Sequence, residues 1–155
     1  MADATTFKDP YAGFRFKVKL GGNEIGGVSE VSGIKSKTDF DRVREGGNNL
    51  HEHSMLKPHT YPELLTLKKM FFQDSNDFYE LVKGVHGSSS AKKDRIGNVE
   101  LSLLDQTGAE TGASYTFSNC VAVEFEGPTF NAKGGELSVE SIKLWYDYFE
   151  FTKGK

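Results

Sequence analysis

A chain of 155 residues has the length of one ordinary domain and can bury roughly 70% of the surface that its unfolded form exposes. Its single cysteine, Cys120, excludes a disulfide-framed module, and no apolar run approaches the ~18 residues of a membrane-spanning helix. With 19 basic and 22 acidic residues the net charge is −3, which excludes the broad basic field of a non-specific nucleic-acid binder, so no membrane insertion and no sequence-specific nucleic acid are expected.

Seventeen glycines and 12 phenylalanines, against 3 methionines and 1 tryptophan, point to strands joined by tight turns. Near the start, Asp3, Lys8 and Asp9 stand where a signal peptide needs an apolar stretch, so synthesis in the cytoplasm without an export signal is expected. Phe14, Phe16, Val18 and Leu20 alternate with Arg15, Lys17 and Lys19, the period of a half-buried strand. Gly21-Gly22-Asn23 supplies a hairpin turn, and a second strand is predicted from Ile25 to Ser32, loosened by Gly26 and Gly27.

From Ile34 to Glu45 polar side chains occupy both faces, broken only by Phe40 and Val43, so neither face belongs wholly to a dry core. Gly46-Gly47-Asn48-Asn49 interrupts this strand, and Leu50 to Lys57 reads as its return arm. Tyr61 to Phe72 fits a helix through Leu64, Leu67 and Phe71, or a strand through Leu65, Leu67 and Phe71. A short helix follows, with Asp74 or Ser75 as N-cap, an apolar stripe of Phe78, Leu81, Val82 and Val85, and Gly84 or Gly87 as its end. Residues 87–94 read as an exposed loop inside one domain, not a linker between two.

Val99, Leu101 and Leu103 form a further strand that ends in the turn Asp105-Gln106-Thr107-Gly108. A longer strand carries Tyr115, Phe117, Val121, Val123 and Phe125 in one phase, with Asn119 interrupting it and Gly127-Pro128 closing it. The last strand starts with Leu137 and Val139 but continues with Ile142, Leu144, Tyr146 and Tyr148 in the other phase, which a bulge near Glu140-Ser141 reconciles. Trp145, Phe149 and Phe151 fall opposite that face, so both sides are apolar and two packing partners are required.

No catalytic constellation emerges, and the chain is read as no enzyme. His51, Glu52 and His53, with His59 as a possible third histidine, have metal-ligand types, yet no second cluster or HExxH helix accompanies them, so a structural or interfacial role is preferred and no cofactor or metal is assigned. Cys120 lacks a CxxC neighbour and reads as a buried small residue. The carboxylate pairs Asp39/Asp41 and Glu124/Glu126 each sit on one strand without a pocket, and the paired glycines form no phosphate cradle.

Four segments, in order, carry a resemblance: DPYAGFRFKVKLGG near the start, VSEVSGI at 28–34, YPELLTLKKMFFQDSNDFYELV from Tyr61, and FSNCVAVEFEGPTFNAKGGELSVESIKLWYDYFE from Phe117. Together they resemble the tail-tube protein family of contractile phage tails, including the inner tubes of extracellular contractile injection systems. Members often carry Asn, a small residue, Trp and Pro where this chain has Asn119-Cys120-Val121-Ala122.

The resemblance implies a mainly β subunit: an antiparallel β-sandwich or barrel over residues 1–155, with one flanking helix at about 75–85 and an extended hairpin at about 34–60. It favours a strand for Leu64–Phe71. It implies homohexameric rings stacked into a tube with a payload in the lumen, inside a sheath, meeting baseplate or spike and tube-terminating proteins. Such a protein is made in the bacterial cytoplasm and ends in a phage tail or injection particle. On this footing Lys35, Lys37, Asp39, Asp41, Arg42, Arg44, Gly46, Gly47, Asn48, Asn49, His51 and His53 are expected at the ring-stacking or lumen interface. Trp145, Phe149 and Phe151 are expected at the lateral interface, and Arg15, Lys17 and Lys19 at outer or intersubunit charge contacts. The alternative is a secreted ring-forming effector carrier of the haemolysin-coregulated type.

Overall fold

A computed structural model describes residues 10–47, 50–73, 77–87 and 96–154, with no side-chain account of 84–87. The first strand, β1 (Phe16–Leu20), turns through Gly21 and Gly22 into β2 (Asn23–Ile25). Both glycines have positive φ, +59° and +91°, the backbone of a two-residue hairpin whose twist matches its strands. Phe14, expected on the inner face, lies outside β1 and is strongly exposed, with the Arg15 guanidinium 5.2 Å from its ring centre. The strand predicted from Ile25 to Ser32 is two strands, because Gly26-Gly27 breaks it: β3 (Val28–Ser32) leaves β2 and pairs with β6 (Leu65–Met70).

Beyond β6 come the helix α1 (Asp77–Gly87), then β7 (Gly97–Leu104), β8 (Glu110–Glu126), β9 (Val139–Trp145) and β10 (Tyr148–Thr152). The strands form an antiparallel sheet in the order β2-β1-β7-β8-β9-β6-β3, with β10 added on β8. The expected N-caps Asp74 and Ser75, and the loop at 88–94, lie outside the described residues. Of the two glycines expected to end the helix, Gly84 lies within it and Gly87 is its last described residue.

The strand β8 joins the two halves. Its first part pairs with β7 and β10, and Val121 onward pairs with β9. The pivot is Asn119, whose φ of +53° is the left-handed conformation that asparagine tolerates better than most residues. Its side-chain amide donates to Asp147 Oδ2 at 2.7 Å. The kink switches the inward phase from Ala113 and Phe117 to Cys120 and Ala122, so the single phase predicted through Val121 and Val123 does not hold, and Val123 is exposed.

One core lies between the halves. Leu65, Leu67, Ile142, Leu144, Phe117, Val18 and Val99 are buried in it, and α1 adds Phe78 and Val82. Each such aliphatic side chain contributes about 1.5–3 kcal/mol relative to exposure. The last strand also differs from expectation. Leu137 lies outside it, and β9 runs without a bulge from Val139 opposite Met70 to Leu144 opposite Leu65. No bulge is needed because Glu140 takes an inward position beside Ile142 and Leu144, matched by Lys69 directly across the ladder. The chain then turns at Tyr146-Asp147, and β10 joins the other half of the sheet.

Candidate assembly surface

The polar stretch folds as a separate two-stranded hairpin of β4 (Lys37–Arg44) and β5 (Glu52–Thr60), and every residue of both strands is exposed. The return arm runs to Thr60, beyond the predicted Lys57. Between Thr38 and Phe40 the register shifts, so Lys57 and Pro58 together face Asp39. A bulge is where a strand accommodates proline, which has no N–H for the ladder.

The charges of the hairpin are matched within it. Arg44 Nε donates to Glu52 Oε1 at 2.8 Å, and Arg42 lies 3.8 Å from Glu52. Lys57 reaches Asp41 at 3.1 Å, Lys37 reaches Asp39 at 3.1 Å, and His53 Nε2 lies 3.3 Å from Glu45. Glu52 and His53 thus point to opposite faces, and among the described residues no three His, Cys, Asp or Glu side chains converge as a metal site. Asn48 and Asn49 lie outside the described residues. Exposed pairs of this kind contribute only about 0–1 kcal/mol each, and a lone two-stranded hairpin is marginal in water.

Its apolar residues are the informative ones. Phe40 faces Leu56 across the ladder, and they are 53% and 77% exposed; Met55, Val43 and Leu50 are exposed as well. The hairpin thus combines matched charges with uncovered apolar side chains, and contiguous exposed apolar area of this kind is characteristic of interaction surfaces.

At its root, Gly33 takes φ +91°, and a Cβ there would lie 2.0 Å from the Leu64 carbonyl oxygen. Lys35 bridges to Glu63 at 3.3 Å. The Tyr146 hydroxyl donates to the Gly33 carbonyl at 3.1 Å and lies 3.5 Å from that of Lys35.

The three aromatics expected at a lateral interface separate. Trp145 and Phe151 are about half exposed, at 45% and 50%. Phe149 turns inward among Tyr61 at 5.3 Å, Phe117 at 5.7 Å, Tyr115 at 6.0 Å and Tyr146 at 6.1 Å between ring centres. Sequence alternation put it opposite Tyr146 because it treated 137–151 as one strand; the turn at Tyr146-Asp147 resets the phase.

Arg15, Lys17 and Lys19 have partners within the chain: Arg15 donates to the Asp105 carbonyl at 3.0 Å, and Lys17 and Lys19 lie 3.8 Å and 3.4 Å from Glu24 and Glu110. Cys120 is fully buried, and desolvation pushes its thiol up to about 11, which suits packing and not nucleophilic work. Within the two carboxylate pairs, Glu124 is held by Lys143 at 3.3 Å and Asp41 by Lys57. A second exposed apolar patch escaped the sequence reading. Phe130 and Leu137, in the segment between β8 and β9, stand 74% and 78% exposed, and Phe130 meets Phe71 edge-on at 6.3 Å. Its sequence signal was two isolated apolar residues among glycines.

A family model described as T4-like virus tail tube protein gp19 matches residues 12–150. Among curated proteins nothing matches the chain. Among solved structures, the chain is similar to one in the cryo-EM structure of the anti-feeding prophage cap (AFP tube terminating cap), with 25% identity, TM-score 0.83, and 99% of this chain and 97% of that one covered. It is also similar in fold to one in the PVC sheath-tube complex, an extracellular contractile injection system in its extended state, with 22% identity, TM-score 0.79, and 92% and 91% covered. Hcp1 from Salmonella typhimurium shares the fold at a greater distance, with 15% identity, TM-score 0.51, and 86% and 82% covered.

Proposed function

Because the chain belongs to the T4-like virus tail tube protein gp19 family, we propose that it is the subunit of an inner tube, assembling as hexameric rings that stack into a hollow conduit for a payload. At the coarser level it is a structural protein of the tail-tube or tube-terminator kind found in contractile injection systems. The observation that carries the finer reading is the β4–β5 hairpin, which projects from the sheet with matched charges and uncovered apolar side chains. A second ring covers those side chains in the assembled tube, while the matched charges leave a surface that neither grips nor repels a passing payload.

The work of such a subunit is mechanical. Sheath shortening drives the tube forward, and the subunit supplies stiffness through its core and its ring contacts, without catalysis. Its partners in this reading are copies of itself, a sheath, a baseplate or spike, and a tube terminator. The sheath-tube and cap assemblies named for the similar structures support the sheath and the terminator among these. The whole chain acts as one tube domain. Trp145 and Phe151 pack against the neighbouring subunit in the ring, while Arg15, Lys17 and Lys19 serve first the internal contacts given above.

Negative-stain microscopy of the purified protein tests the reading. Hollow tubes with an axial repeat are the expected result. Rings that never stack would favour the released carrier of the haemolysin-coregulated type, and a strict monomer at high concentration would overturn both.

A further inference from the structure

Among the described residues the hairpin makes ladder contacts with no other strand, so its direction is set at its root. Root contacts tie the arms to each other, among them Lys35 to Glu63, the Thr60 hydroxyl to the Lys37 carbonyl, and the close approach of Gly33 to the Leu64 carbonyl. Ile34 and Tyr61 rest against the core, but apolar contact is non-directional and tolerates sliding. A hydrogen bond has a preferred angle and distance, and the Tyr146 hydroxyl makes one across the gap between body and hairpin.

Tyr146 follows β9 immediately and is only 4% exposed. Its ring is fixed in the core by Phe117, edge-on at 5.1 Å. The same ring makes a T-shaped contact with Tyr61 at 5.7 Å, and Tyr61 makes another with His59 of β5 at 5.2 Å. One buried side chain therefore reaches the first arm through its oxygen and the second through its ring. We propose that Tyr146 is the positioning residue that sets the angle at which the β4–β5 hairpin leaves the body, and so presents the hairpin to the next ring. This rests on the reading of the hairpin as the stacking element. Burial, the chief influence, raises the phenol above its ordinary range, so it stays protonated and keeps donating.

Tyr146→Phe removes the donor and keeps the ring. The direct test is the distance distribution between spin labels on Ser54→Cys in β5 and Thr152→Cys in β10, with labelled chains diluted into unlabelled ones and the buried Cys120 left in place. The unsubstituted chain should give one narrow distribution. Tyr146→Phe should broaden it at least about twofold while unfolding stays cooperative, and tube growth should need roughly five- to tenfold more protein, the scale of one lost hydrogen bond. Equal widths would overturn the inference and leave the stacking role standing. A broad distribution in the unsubstituted chain would also overturn it, even if the variant failed to fold. A broadened distribution with undiminished tube growth would uphold the positioning contact and contradict the stacking role instead.

Discussion

Lys69 of β6 lies directly across the ladder from Glu140 of β9, their charged ends 3.3 Å apart and both side chains almost wholly buried. The ammonium also lies 3.4 Å from Asp77 in the first turn of α1 and 5.2 Å from the centre of the Phe78 ring. The pair thus joins two central strands to the helix that covers them. Removing two charges from water is costly, and such a pair is far more sensitive to losing one member than to losing both.

Lys69→Met is therefore expected to destabilise the subunit by about 3–5 kcal/mol, because it strands the Glu140 carboxylate in the core. For a domain of this size that lowers the melting temperature by roughly 10 °C or more. Lys69→Met with Glu140→Leu should recover most of the loss. Thermal unfolding of both variants checks this, and a double variant no better than the single one would contradict it.

Gly33→Ala should lower the melting temperature by several degrees, since the substitution adds strain at φ +91° and a Cβ 2.0 Å from the Leu64 carbonyl oxygen. Gly46→Ala is the control: a Cβ there meets nothing within 4 Å, so stability should stay within about 0.5 kcal/mol. Calorimetry of the two variants separates a steric requirement at the root from a general preference for glycine in the hairpin.

Trp145→Ala and Phe149→Ala should act at different levels. Phe149 packs among four internal rings, so its loss should cost the monomer about 2–3 kcal/mol. Trp145 is half exposed, so its loss should affect the monomer less and ring dissociation more. Denaturant melts report the first effect and dilution in native mass spectrometry the second. Rings of normal stability with Trp145→Ala would remove this residue from the lateral interface.

Much of the fold was legible where one residue class sets the geometry. Gly21-Gly22 announced the first hairpin, and the charged run around Phe40 and Val43 announced a ribbon outside the core. The ambiguity at Tyr61–Phe72 had a physical source. The inward series of β6 is Leu65, Leu67 and Lys69, and a lysine inside reads as a surface residue until its partner is known. Glu140 misled in the same way and suggested a bulge that β9 does not have. The phase reversal at Asn119 depends on a backbone angle that alternation does not register. At the candidate surface the exposed hairpin was visible from polarity. The separate fates of Trp145 and Phe149 depended on a two-residue turn that aromatic spacing does not reveal.

Microscopy of Phe40→Ser with Leu56→Ser asks whether the hairpin's uncovered apolar pair joins one ring to the next in the proposed tube. Both side chains are exposed in the subunit, so folding and ring formation should be unaffected. Intact rings that stack poorly or not at all are expected under conditions where the unsubstituted chain forms tubes. Tubes of normal length and abundance from the double variant would contradict that role of the pair.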